Sequence, residues 1–122
     1  MAKVKVTREQ KKLLKAIKKN PQDPAPLVEL GWMYFDQHNP NEAKQYFTRA
    51  AELQSNSLAI ADASYGLALI NLQKEQYEPA RDALRELIRE YPNFQKRSEV
   101  HFALGQANER LWRNTNWQSE KE

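Results

Sequence analysis

Histidines, acids and glycines are the residues through which this chain could carry out chemistry, and their spacing supports no reaction. His38 and His101 stand 63 residues apart, and neither has a companion at metal-ligand spacing. The carboxylates are scattered over polar faces, and the three glycines lie inside helical patterns, where close helix packing explains them better than a phosphate-binding loop does. With no cysteine, the chain has no thiol nucleophile and no disulfide. We therefore predict no catalytic residue, no metal site and no cofactor.

The first twenty residues are strongly basic. They hold eight Lys and Arg residues against Glu9 alone, about +7, so the rest of the chain carries about −4. Such a helix is explained by a solvated face, by contact with an acidic partner or with the chain's own Glu120 and Glu122, or by binding to nucleic acid or an anionic membrane. No aromatic residue interrupts the basic positions, so nucleic acid and membrane-surface contacts are not expected.

Apolar periodicity and breaking residues predict the elements that would position any functional residue. Thr7 with Gln10 has capping-box spacing, and Pro21 and Pro40 break helical patterns. The turn at 74–76 is expected to be longer than the turn before Pro40, and a further turn is expected at 54–57. The predicted helices cover 7–19, 24–37, 40–54, 58–73, 77–91 and 95–113, and residues 114–122 are expected to form a flexible tail.

Small and large residues alternate between two of these helices. The first carries Leu30-Gly31 and Tyr34; after a polar turn, the second carries Ala43 and Phe47, followed by Ala50. This pattern resembles a tetratricopeptide repeat (TPR) unit. Weaker copies of its first half occur at Tyr65-Gly66 and at Leu104-Gly105, at intervals of 35 and 39 residues, near the family's period of about 34.

The resemblance implies an all-α fold, a right-handed antiparallel stack of helix hairpins (an α-solenoid) of about six helices. It would occupy residues 1–113 as a basic helix at 7–19, full units at about 24–56 and 58–92, and a terminal half-unit at 95–113. In TPR domains the first helix of each pair lines a concave groove that binds peptides or partner helices. The groove residues implied for this chain are Val28, Trp32, Phe35, Asp36, Ile60, Ala63, Leu67, Ile70, Asn71 and Phe102.

A non-catalytic scaffold that binds a protein or peptide partner is the function that this resemblance implies. Two alternatives are a self-associating structural module that forms a homodimer, and a TPR subunit of a membrane-linked assembly. Trp32 and Phe35 could equally be core residues that seal adjacent hairpins, or be covered by the tail. No apolar run reaches the ~18–20 residues of a membrane span, and no signal-like segment follows Met1, so a cytoplasmic protein is expected.

Overall fold

The protein is all-α, as predicted. The computed structural model describes residues 7–53 and 57–121, with side chains up to residue 116, and it contains six helices and no strand within those ranges. The turn predicted at 54–57 falls outside them except for Ser57. The helices are α1 (Arg8–Lys19), α2 (Pro24–Asp36), α3 (Pro40–Ala51), α4 (Leu58–Gln73), α5 (Tyr77–Glu90) and α6 (Arg97–Lys121).

The chain forms two compact units, which meet in sequence within α4. The first extends to Ala63 and the second begins at Ser64. In the first unit α1 packs on α2, and α2 forms a hairpin with α3. In the second unit α5 packs on α6.

The start of α1 is fixed by the predicted capping box. The Gln10 backbone N–H donates to Thr7 Oγ1 at 3.1 Å, and the Thr7 N–H donates to Gln10 Oε1 at 2.8 Å. Gln10 is fully buried, and its Nε2 donates to Gln37 Oε1 just after α2, at 3.4 Å. The cap thus also ties α1 to the far end of its neighbour.

The α2–α3 hairpin is built around a close approach at Gly31. Ala43, Phe47 and Ala50 have no exposed surface. A Cβ atom added at Gly31 would lie 2.6 Å from Phe47 Cε1, so only glycine leaves room for the ring. The small-against-large packing predicted from the sequence is confirmed here.

In the second unit, short and long apolar side chains again alternate. Ala80, Leu84 and Leu87 form the buried face of α5. Val100, Ala103 and Ala107 form the buried stripe of α6, at the spacing expected for one face of a helix.

The two helix-to-helix turns have the same length and the same hydrogen bonds, so the prediction of a longer second turn was wrong. Three residues join α2 to α3, and three join α4 to α5. The central residues, His38 and Glu75, have φ of 58° and 60°. The N–H groups of the first turn donate to carbonyls of the preceding helix at Gln37→Met33, His38→Phe35 and Asn39→Tyr34, and those of the second at Lys74→Ile70, Glu75→Leu72 and Gln76→Asn71.

Helix α6 is longer than predicted. We expected it to end near residue 113, whereas it continues through 114–121 to Lys121. This stretch contains neither proline nor glycine, and Thr115 Oγ1 donates to the Leu111 carbonyl at 2.9 Å, a bond compatible with a continuing helix. Polar composition after residue 113 therefore does not mark the end of this helix.

Candidate protein-binding site

The matching turns define the repeat in this chain, and its period is 37 residues. Each hydrogen-bonded position of the first turn has its counterpart 37 residues later in the second. The same interval relates the fully buried pairs Ala43 and Ala80, and Phe47 and Leu84. It also relates Leu30, Leu67 and Leu104.

This period corrects the register assumed for α4. The sequence comparison paired Gly66 with Gly31, whereas the residue 37 positions after Gly31 is Ala68, which is fully buried. The next in the series is Gly105. The glycine intervals of 35 and 39 residues are unequal because Gly66 lies two residues before Ala68, the position that corresponds to Gly31. Measured through Ala68, both intervals are 37 residues.

A cavity of about 380 Å³ lies in the second unit, between α4 and α6. It is lined by Tyr65, Leu69, Ser98, Glu99, Phe102, Ala103 and Gln106. Phe102 is 69% exposed, the most exposed large apolar side chain among the described residues. The 37-residue register explains the lining, because Tyr65 and Phe102 occupy corresponding positions, as do Leu69 and Gln106.

The wall of this cavity opposite Phe102 is held in place by aromatic packing. Tyr65 meets the ring of Phe94 edge to face, with 6.3 Å between centroids, and Phe94 is itself buried. The Lys96 ammonium lies 5.9 Å from the Tyr65 ring centroid, within cation–π distance. A wall fixed on two sides can receive a ligand side chain without first being ordered.

Phe102, one of the predicted groove residues, lines this cavity, whereas the predicted residues of α4 do not. Its α4 wall is formed by Tyr65 and Leu69, whereas Leu67 and Asn71 are half-buried and Ile70 is 1% exposed. Ile60 and Ala63, in the first unit, are also buried. The displacement follows from the two-residue error in register, since two residues turn a helix by about 200°.

In the first unit the structure brings two of the predicted residues into contact. The Trp32 and Phe35 rings lie 5.4 Å apart at an interplanar angle of 79°, and both are half-buried. Trp32 also meets Phe47, the fully buried ring, at 4.9 Å. Val28 is buried and Asp36 is exposed. Trp32 therefore takes part in the hairpin core as well as in the surface.

Gly105 departs from the expectation that each glycine serves close helix packing. An added Cβ there would meet nothing within 4 Å, and the residue is exposed. No second helix turns back to cover Gly105. The position that corresponds to the turn residues His38 and Glu75 is Trp112, and there the chain continues as a helix. A bulky side chain disfavours the left-handed conformation that this turn requires.

The basic side chains of α1 lie on its exposed side, and one of them, Lys12, lines a cavity together with Glu29 and Met33 of α2. Its six described cations are all exposed, and within residues 7–53 and 57–116 none has a carboxylate within ion-pair distance. The cations are Arg8, Lys11, Lys12, Lys15, Lys18 and Lys19. The buried residues of this helix, Gln10 and Ile17, lie on the opposite side. Lys3 and Lys5 lie outside the described residues.

Neither a metal site nor a membrane span is found in the described part of the chain. No group of three or more metal-ligating side chains comes together there. No helix there combines the length and the apolar character that crossing a bilayer requires.

The family model for the tetratricopeptide repeat matches residues 28–94, more than half of the chain. The protein therefore belongs to the tetratricopeptide repeat family. Domains of this family generally mediate protein–protein interaction and are generally non-catalytic. No curated protein matches the chain.

Proposed function

We propose that this protein is a non-catalytic scaffold that binds a segment of a partner protein through apolar surfaces on its helices. The observation that carries the proposal is the exposed Phe102 ring beside the cavity in the second unit. An aromatic side chain that is 69% exposed at the edge of an apolar pocket is typical of an anchor at a protein interface.

The cavity favours an apolar side chain as the group it takes from the partner. Its walls offer the Tyr65 and Phe102 rings together with Leu69. Glu99 and Gln106 supply a polar edge that would orient the bound segment by hydrogen bonds. The partner segment would place an aliphatic or aromatic side chain between the rings and leave its polar groups at that edge.

In the first unit, the Trp32 and Phe35 pair with the exposed Asp36 is a second proposed contact surface. The buried members of the predicted groove, Val28, Ile60, Ala63 and Ile70, would support the contact residues rather than meet the partner, because little of their surface is accessible. Contact of the half-buried Leu67 and Asn71 with the partner stays a prediction.

Phe102→Glu tests the proposal, because Phe102 is exposed and its replacement leaves the core intact. We expect this variant to lose partners that the wild type retains in a comparative pull-down, while its helical circular dichroism stays unchanged. Arg110→Glu is the matched control, since it introduces the same residue at an exposed position of α6 that does not line the cavity. Equal retention by wild type and both variants would rule the cavity out as the binding site.

Trp32→Glu is less suitable as a test. Trp32 lies 4.9 Å from the fully buried Phe47 ring, so a carboxylate there would be placed against the hairpin core. A loss of binding could then come from unfolding. Phe35→Ala, which changes the more peripheral ring of the pair, is the better variant in the first unit.

A further inference from the structure

We propose that two copies of this chain associate through α6, with Trp112 of each copy packed onto Gly105 of the other. In the first hairpin, the corresponding glycine, Gly31, is covered by the Phe47 ring of an antiparallel helix. Gly105 follows the same kind of Leu-Gly pair and meets nothing. The α6 helix thus has the glycine of this contact but no ring packed against it.

An exposed glycine in the middle of a helix needs a reason. Glycine weakens a helix relative to alanine, and no contact among the described residues requires a glycine here. Close approach by a helix of another molecule would supply that reason. The exposed residue best suited to fill the space is Trp112, a large ring that is 66% exposed.

Gly105 and Trp112 make α6 self-complementary. They are seven positions apart in the sequence, so they lie within about 20° of each other around the helix and about 10 Å apart along it. When two such helices pair antiparallel about the midpoint between these residues, each glycine faces the other copy's tryptophan. This is an isologous contact, closed by a two-fold axis, and it needs no second type of surface.

The length of α6 fits this arrangement. The helix has 25 residues, about 37 Å, and Ala107 is the last fully buried residue among those up to 116, where the description of side chains ends. From Trp112 to Thr115 every residue is exposed. The second copy's α6 would run antiparallel to the first and pack against Gly105, as α3 packs against Gly31 in the first hairpin. It would thus take the place of the missing second helix of the third repeat.

Solution mass and paired variants test this dimer. We expect the wild type to exceed its 14.3 kDa monomer mass at micromolar concentration by sedimentation or light scattering. Trp112→Ala and Gly105→Ala should each raise the dimer dissociation constant at least tenfold, the second because its new methyl group meets the partner's ring. Arg110→Ala, about 140–160° around α6 from Gly105 and Trp112, should leave the mass unchanged. A wild type that stays monomeric at several hundred micromolar, or Gly105→Ala dimers as tight as wild type, would overturn the proposal.

Single cysteines report the register, because the chain has none of its own. Asn108 lies beside the proposed two-fold axis, so Asn108→Cys should form a disulfide-linked dimer on mild oxidation. His101→Cys is the control from the same face, since antiparallel pairing would separate its two copies by roughly 22 Å along the axis. Cross-linking of His101→Cys, or of neither variant, would contradict the antiparallel register. Neither substitution touches the Phe102 cavity, so failure of the dimer leaves the proposed function standing.

Discussion

The Phe47 ring occupies the space that a side chain at position 31 would need. Phe47 Cε1 and Cδ1 lie 2.6 and 2.7 Å from a Cβ atom built on Gly31. Both atoms belong to a fully buried ring that Trp32 also contacts. The ring therefore has little freedom to move aside, and the hairpin depends on the absence of a single methyl group.

Gly31→Ala is expected to destabilise the fold, whereas Gly105→Ala should stabilise the isolated monomer. Both gain helix propensity, about 0.5–1 kcal/mol, but only position 31 incurs overpacking, which typically costs about 1–3 kcal/mol. We expect a net loss of about 1–2 kcal/mol for Gly31→Ala in urea unfolding. The measurement belongs at low protein concentration, so that self-association does not contribute. Equal effects at both glycines would contradict the close contact.

Thr7→Ala should destabilise α1 by about 1 kcal/mol, because it removes the hydroxyl that accepts the Gln10 N–H. Thr7→Ser is the control, since it keeps that acceptor. Amide hydrogen exchange in the first turn of α1 would measure the effect. Unchanged protection in Thr7→Ala would show that the reciprocal bond from the Thr7 N–H to Gln10 is sufficient by itself.

Glu75→Gly should stabilise the protein by about 0.5–1 kcal/mol. The φ of 60° at Glu75 is a left-handed conformation that costs L-residues roughly 1–2 kcal/mol and costs glycine little, although glycine loses more chain entropy on folding. Gln73→Gly, at the last residue of α4, has no such strain to relieve and should destabilise the fold. Thermal unfolding of the pair would distinguish them. A lower melting temperature for Glu75→Gly would contradict the argument from strain.

Stability at high pH should depend on Tyr34. Burial, then the neighbouring Tyr46 and Glu42, raises the pKa of the Tyr34 hydroxyl above its ordinary value of 10.0. The folded state thus holds this proton more tightly than the unfolded state, so the contribution is complete below pH 10 and is lost as pH rises through the folded pKa. Guanidinium unfolding between pH 8 and about 11.5 should show a smaller alkaline loss in Tyr34→Phe than in wild type.

The stacked partner of this ring provides a check. Tyr46 lies parallel to Tyr34, with 5.6 Å between centroids, and the Arg49 guanidinium is 5.7 Å from its ring. Tyr46→Phe keeps the stack and removes a neighbouring charge that opposes ionisation of Tyr34. It should lower the pKa of Tyr34 in a spectrophotometric titration. An unchanged titration would contradict a contribution from Tyr46 and leave burial and Glu42 as the causes of the raised pKa.

The sequence predicted the helices of the first unit well because its signals there are local. Pro40 begins α3, Gly31 and Phe47 are both present, and the Thr7 capping box lies within four residues. In the second unit the predicted register was wrong. Gly66 resembles the Leu-Gly motif but lies two residues before Ala68, the position that corresponds to Gly31. The true register depends on the turn at Glu75, and nothing in a residue such as glutamate indicates a positive φ.

The cavity lining differs from the predicted groove for the same reason. Phe102 belongs to both, since its place relative to Gly105 is the same in either register, whereas on α4 the cavity is lined by Tyr65 and Leu69 and not by the predicted Leu67 and Ile70. An internal check was present in the sequence, because Leu30, Leu67 and Leu104 recur at equal intervals. The end of α6 could not be predicted from composition, because polar residues suit an exposed helix as well as a tail.

The uninterrupted course of α6 at Trp112 has a consequence for how such arrays grow. Residues 114–121 stand where the second helix of a third hairpin would begin, and they are already helical. Completing a third hairpin from these residues would therefore require a bend: a residue at position 112 that accepts positive φ, and a capping residue after it. A few substitutions at this one joint would then turn the far end of α6 into a short antiparallel helix packed against the rest of α6.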